Sequence, residues 1–394
     1  MNPTPFGTNT NTETNTDTDS RTKTRTHTPS AAVPDALRDF ETPVAVLDVA
    51  RVRANARRVV AYCAGHGLRW RPHVKTHKSL RVARIQLEAG AAGLTVATPR
   101  EAEIMAEVTS DLLLAYPPVG EARLRRLMAL PAAVSLTVAL DSERALDDLA
   151  ASAEAAGRRV GVFVEVDLGM HRVGVQGPDE AVALARRVRA ADSLDFRGIL
   201  FYPGHIRLPV EEQDADLAAA ASRLDAVREA LERADLEPPV VSGGSTPTIW
   251  RSHDFPGITE VRSGTCIFND RDMVSLGVCK EDACAYTILA TVVSTAVPGQ
   301  AVIDAGSKAL AKEELRSAGA GYGALLGHPE LHVAALSEEH GIIRLAGSDW
   351  KPRVGDRVRV VPNHVCVSVN LQDRILAFEN GAAEAWPVEA RGRF

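Results

Sequence analysis

Short apolar runs alternate along this chain with longer stretches in which apolar residues recur every three or four positions. The runs at 44–48, 71–75, 94–97, 112–115, 136–139, 160–166, 198–202 and 240–242 predict strands, and stretches such as 99–108 and 216–234 predict helices. Eight strand–helix units in succession are the repeat of a (β/α)8 TIM-type barrel. An open doubly wound sheet would alternate similarly, but no glycine-rich turn follows the first strand. After about residue 280 the pattern changes to short strands (286–297, 301–304, 332–336, 341–345 and 356–361) joined by tight turns, which predicts a C-terminal all-β domain. The expected division is therefore a barrel over 32–278 and a β-domain over 279–394. The pattern leaves open whether 31–43 pack on the second domain.

Residues 1–31 carry no such pattern. They are rich in Thr and Asn with interspersed charges, and this composition predicts a disordered tail. The tail lacks the apolar core of a secretory signal; a cleaved targeting peptide is the secondary reading. With 394 residues the chain can bury two sizeable cores. The net charge of −6 and the lack of a basic stripe argue against a nucleic-acid partner, and no apolar run is long enough for a membrane span. Five irregularly spaced cysteines suit reduced thiols and a cytoplasmic location.

Three segments carry chemistry. Arg71, His73, Lys75, His77 and Lys78 form a dense cationic run at the end of a predicted strand, the usual place for barrel catalysis. A lysine crowded by other cations favours the free amine that Schiff-base chemistry requires, so Lys75, with His73 beside it, is the candidate catalytic pair. The turn at 243–248 (GGSTPT) offers Gly243, Gly244 and Ser245 to a phosphate. Gly264 and Thr265, one helix-length on, would close the same cradle. His364 and Cys366 alternate on a predicted strand, so both would leave one face as metal ligands with an open coordination position. Arg172, just beyond the strand that ends near 166, would either hydrogen-bond the phenolate oxygen of pyridoxal phosphate (PLP) or pair with Glu165 or Asp167. The cluster at 337–341 (SEEHG) is either a solvated hairpin end or part of the site.

Taken in order, the segments 71–78, 165–175, 202–205, 243–247, 260–265, 337–341 and 362–366, with Asn370, resemble the fold-type III PLP enzymes that join an alanine-racemase-like barrel to a β-domain. More narrowly they resemble the D-serine dehydratase and D-threonine aldolase family, over nearly all of 40–385. The resemblance implies that Lys75 binds PLP covalently, that Arg172 contacts the ring oxygen, and that Tyr202 lies near the ring. It also implies that the Gly243-Gly244-Ser245 loop and Gly264-Thr265 hold the phosphate, and that His364 and Cys366 bind the metal. Cys266 departs from the pattern, where the family more often has an aromatic residue.

The implied activity is a PLP- and metal-dependent lyase acting on D-β-hydroxy-amino acids, D-serine dehydratase-like first. The alternatives are an aldolase for D-threonine or 3-hydroxyaspartate, then an amino-acid racemase with Tyr286 or Tyr322 as the second acid–base group, then a non-catalytic PLP carrier. In the resemblance His-x-Cys goes with zinc-dependent dehydratases, whereas aldolases can show His-x-Asp, which suits manganese or magnesium. Thiolate favours zinc by its softness. A homodimer is implied as well.

Overall fold

Strand β1 (Val44–Asp48) runs straight into α1 (Val49–Gly65), whose N-terminus is capped by the Asp48 carboxylate accepting from the Arg51 amide. Eight parallel strands follow: β2 (Arg69–Trp70), β3 (Leu94–Val96), β4 (Asp111–Leu114), β5 (Ser135–Leu140), β6 (Val160–Val166), β7 (Leu194–Phe201), β8 (Val240–Gly243) and β9 (Glu260–Val261). They lie in the order β2-β9-β8-β7-β6-β5-β4-β3. A parallel bridge between His73 and Thr95 links the two ends, with the Thr95 amide donating to Pro72 O at 2.9 Å. The sheet thereby curls into the expected (β/α)8 barrel. Helices α2 (Leu80–Glu88), α3 (Pro99–Met105), α4 (Glu121–Met128), α5 (Glu143–Ala155), α6 (Pro178–Ala190) and α7 (Asp214–Arg233) pack outside it. This computed structural model describes residues 33–315 and 321–392; the expectation of disorder over 1–31 lies outside the described residues.

The number of barrel strands agrees with the sequence reading, but their membership does not. β1, expected as the first barrel strand, belongs to a second sheet. β9, two residues long, takes the eighth place in the barrel. An apolar run buried on both faces has no period that says which sheet it joins, and a two-residue strand has no pattern at all.

The second sheet contains β10 (Tyr286–Ser294), β11 (Gln300–Ile303), β12 (Gly323–Leu325), β13 (His328–Leu336), β14 (Gly341–Arg344), β15 (Arg357–Pro362), β16 (Arg374–Glu379) and β17 (Ala382–Pro387). Its order is β11-β14-β13-β12-β15-β10-β1-β16-β17, and a further β10–β11 pairing curls it upon itself. β1 pairs antiparallel with β10 and parallel with β16. Its Val46 packs with Leu37, Leu289 and Leu376 in a small core of their own. The Arg357 guanidinium donates to Leu37 O and Phe40 O, so the segment before β1 does pack on the second domain.

Two local predictions fail where the site is built. The segment expected as a strand over 71–75 lies beyond the short β2 and passes through a single bridge at His73 into a 3-10 turn, Val74–Thr76. His364 and Cys366 do not alternate on a strand; His364 is the residue before a helix, Val365–Leu371, that follows β15, and Cys366 lies in its first turn. Among the described residues no helix is long and apolar enough to cross a membrane.

Candidate active site

A cavity of about 610 Å³ is lined by residues from the barrel loops and by His364 and Cys366. Lys75 is the middle residue of the 3-10 turn, and His73, at the N-cap, holds it: the imidazole Nδ1 accepts the Lys75 amide at 3.4 Å. The rest of the cationic run is occupied elsewhere. Arg71 is buried and bound to Asp111 (2.7 and 2.9 Å) and Glu260 (2.8 Å). Lys78 pairs with buried Glu101 at 2.9 Å. Burial pushes His77 down to about 4, with Gln86 and the Ser79 amide pulling the other way. Burial, with Lys75 and Arg262 nearby, holds His73 well below the usual imidazole range. Both histidines are therefore neutral at pH 7, and the expected crowd of free cations around Lys75 is largely a structural network.

Lys75 Nζ lies 5.7 Å from the centre of the Tyr202 ring, and the Arg172 guanidinium lies 4.9 Å from the same ring. The loop carrying Arg172 is folded by Asp167, whose carboxylate accepts the amides of Gly169, Met170 and His171 at 2.8–3.1 Å. Among the described residues neither Asp167 nor Glu165 forms an ion pair with Arg172, so the purely structural pairing considered for that arginine is not what the structure contains. Glu165 itself lines the cavity. Burial raises its carboxyl to about 7, although Arg262 and Arg172 both pull it down.

The two glycine turns follow β8 and β9, which are the seventh and eighth strands of the barrel. Loops in those two places commonly bind phosphate in such barrels. Gly244, Ser245, Gly264 and Thr265 line the cavity, whereas Gly243 does not. A Cβ on Gly243 would lie 2.1 Å from the Phe201 ring, so that glycine serves packing behind the loop. A Cβ on Gly264 would lie 2.5 Å from His73 O, which lets the eighth loop press against the lysine turn. The Ser245 hydroxyl is engaged with Thr248 at 3.0 Å. Among the described residues the backbone amides of Ser245, Thr246, Gly264 and Thr265 donate to no protein atom, although these loops are largely buried. Buried amides need acceptors, and a phosphate at this place would supply them.

His364 Nδ1 lies 3.2 Å from Asp270 Oδ2, which leaves Nε2 for another partner. Cys366 Sγ lies 3.3 Å from Thr76 Oγ1 and 3.7 Å from Thr265 Oγ1. Burial alone would raise the Cys366 thiol, but His364, Thr76 and Lys75 outweigh it and bring it to about 7. An imidazole nitrogen and a thiolate facing one cavity are a donor pair that fits a soft divalent metal with open positions. The motif at 337–341 stays outside this cavity: it closes the β13–β14 hairpin, where Glu339 pairs with Lys308 at 2.5 Å. Tyr286 is fully buried, its hydroxyl on Ser368 at 3.0 Å, and neither it nor Tyr322 lines the cavity. Arg123 and Arg207 line the cavity, and Asp270 stands behind His364, without having drawn a role from the sequence; Glu165, weighed there only as a partner for Arg172, lines the cavity as well. Arg123 sits in an ordinary helix and Arg207 and Asp270 in loops, and only their tertiary neighbours distinguish them.

Residues 47–272 match the alanine racemase N-terminal domain, and residues 285–378 match a putative serine dehydratase domain. The chain belongs to this alanine racemase-like, serine dehydratase family. It is 32% identical to 3-hydroxy-D-aspartate aldolase of Paracoccus denitrificans, covering 90% of this chain and 93% of that protein. It is 34% identical to D-threo-3-hydroxyaspartate dehydratase of Delftia sp., covering 85% of this chain and 93% of that protein. The solved structure of the Delftia dehydratase superposes with a TM-score of 0.83 at 32% identity, over 91% of this chain and 100% of that one. Aldolases and dehydratases of the family thus stand equally near. PLP is the cofactor of the family, and the unpaired amides of the two glycine turns beside Lys75 fit it.

Proposed function

We propose that this chain is a PLP- and metal-dependent lyase of D-β-hydroxy-amino acids, most simply a dehydratase that yields a 2-keto acid and ammonia. The observation that carries the proposal is one cavity lined by the Lys75 amine, by the amide-rich turns after β8 and β9, and by the His364–Cys366 pair. A cysteine-to-alanine variant of the related dehydratase has been solved in a metal-free form, and a histidine variant lies two positions away, the same spacing as His364 and Cys366. That parallel supports His364 and Cys366 as metal ligands here. The thiolate favours zinc over manganese or magnesium.

In this reading the amides of Ser245, Thr246, Gly264 and Thr265 hold the phosphate, with Gly243 and Gly244 shaping the turn. Arg172 would hold the phenolate oxygen, and Tyr202, beside both Lys75 and Arg172, would flank the ring. Bound PLP supplies an electron sink for charge developing at Cα, and the metal supplies a Lewis acid at the β-hydroxyl. Lys75 would hold the cofactor through its amine, and that amine, once displaced by the substrate's own amino group, would accept the Cα proton. His73, neutral and buried, is a positioning residue that fixes the turn under Lys75. Loss of the β-hydroxyl as water leaves an enamine that hydrolyses to keto acid and ammonia. An aldolase would instead need a base at the β-hydroxyl proton and would break the Cα–Cβ bond to give glycine and an aldehyde. Cys366, where aldolases can have a carboxylate, favours the dehydratase.

The proposal extends to a homodimer in the cytoplasm. All five cysteines are free, as a reducing compartment requires, and Tyr116 and Val119 at the cavity are 48% and 57% exposed, a surface that a partner copy would cover. The test is product analysis with purified protein, PLP and zinc, offered D-serine and D-threonine in parallel. Keto acid with ammonia supports the dehydratase. Glycine with acetaldehyde from D-threonine makes the chain an aldolase.

A further inference from the structure

Among the described residues five lysines and arginines line the cavity: Lys75, Arg123, Arg172, Arg207 and Arg262. Lys75 and Arg172 are used by the cofactor in the reading above. Arg262 is buried, donates to Phe201 O at 2.6 Å, and faces Glu165. Arg207 pairs with the carboxylate of Asp272. Arg123 remains.

Arg123 lies in the first turn of α4, just past the loop that leaves β4. Its guanidinium stacks on Tyr116 rather than on Tyr202, with the ring centre 4.9 Å away. One nitrogen, Nη1, reaches the carbonyls of Pro117 and Val119, each at 3.4 Å. These contacts hold one edge of the fork. Among the described residues the other edge, Nε and Nη2, has no protein partner, and Arg123 pairs with no carboxylate. A planar guanidinium held in this way and open to a cavity suits bidentate binding of a carboxylate.

We propose that Arg123 recognises a carboxylate on the β-carbon of the substrate, so that the preferred substrate is a D-β-hydroxy-amino dicarboxylate of the 3-hydroxyaspartate type. The inference rests on the lyase reading above and names the substrate class of the same site. Arg123 stands at the lip of the cavity beside exposed Tyr116 and Val119, where the variable end of a substrate would lie. D-Serine and D-threonine have no group for it, and they would leave the guanidinium facing water.

The experiment compares wild type, Arg123→Leu and Arg123→Lys, each loaded with PLP and zinc, on D-threo-3-hydroxyaspartate, D-serine and D-threonine. Visible cofactor absorbance and far-UV circular dichroism report that each variant is folded and loaded. Succinate binding by calorimetry, with propionate as the monocarboxylate control, gives a readout independent of turnover. The wild type is expected to favour the dicarboxylate in kcat/KM. Arg123→Leu is expected to lose about 100-fold on it, chiefly through KM, as truncating one partner of a charge pair does. Its values for D-serine and D-threonine are expected to stay within about threefold, since they make no such pair. Arg123→Lys, with a point charge in place of the fork, falls between. An equal loss on all three substrates would assign Arg123 to the α-carboxylate and overturn the inference while leaving the lyase reading intact. No loss on any substrate would overturn it equally. A wild type inert on every D-β-hydroxy-amino acid would remove the lyase reading itself, and this inference with it.

Discussion

Asp270 Oδ2 accepts from His364 Nδ1 at 3.2 Å and from the Val365 amide at 3.0 Å, so one carboxylate oxygen sets both the ring and the helix that bears Cys366. Its other oxygen caps the short helix α8 (Arg271–Ser275) through the Met273 amide at 3.0 Å. A carboxylate behind a ligating imidazole fixes the ring and raises its basicity. Asp270→Asn keeps the shape and the cap but gives up the charge. We expect its zinc affinity, measured by chelator competition on purified protein, to fall about 10- to 100-fold. His364→Ala should keep cofactor absorbance while losing metal-dependent turnover. Unchanged zinc affinity in Asp270→Asn would show that Asp270 serves only the two helix ends.

Lys75 shows a different kind of dependence, because among the described residues no other lysine lines the cavity. Lys75→Ala should refold normally, since the side chain is exposed to the cavity and makes no ion pair within the described residues. The visible absorbance of lysine-bound PLP should be absent from the purified variant. Persistence of that band would move the covalent role to another residue.

Arg71, the residue after β2, ties β4 and β9 together by holding Asp111 and Glu260. Glu260 is 1% exposed and also accepts the Ser242 hydroxyl at 2.8 Å. Removing Arg71 leaves that carboxylate buried without its cation. Arg71→Leu should therefore destabilise the protein by about 3–5 kcal/mol, read from urea denaturation. The double variant Arg71→Leu with Glu260→Gln should recover part of the loss. A loss below about 1 kcal/mol would be that of an exposed pair and would refute the buried-network account.

The strand–helix alternation made the barrel legible because parallel strands buried on both faces read as mainly apolar runs, as in β6, where all seven residues are buried and only Glu165 is charged. It misassigned β1 for the same reason, since such a run looks alike in either sheet. The glycine turns were legible as motifs, but their order became clear only when Glu260–Val261 proved to be the eighth barrel strand. That strand is set by pairing with Trp70 and Ser242 neighbours, which no local pattern encodes. His364 and Cys366 were legible as a pair but not as part of a helix, because the sequence VCVSVNL is β-branched and reads as strand. Asp270 and Arg123 were not legible at all. One is 94 residues from the imidazole it orients, and the other sits in an ordinary charged helix turn.

Glu165 offers a pH test of the cavity's electrostatics. Burial raises its carboxyl to about 7, against the pull of Arg262 and Arg172. In the unfolded chain a glutamate gives up its proton near 4.3, about the ordinary value. The folded protein therefore binds a proton that the unfolded chain has lost between these two pH values. A raised carboxyl contributes stability below the unfolded value, and that contribution is lost as pH rises through about 7. Glu165→Gln cannot ionise and escapes the loss. The stability of Glu165→Gln relative to wild type, both free of PLP, should therefore increase from pH 5 to pH 8, by at most about 3 kcal/mol. Urea denaturation across that range measures it, and taking the difference between the two proteins cancels the titration of every other group. A difference that stays flat from pH 5 to pH 8 would mean that the carboxylate is already ionised in the folded cavity, its charge fully met by the two arginines.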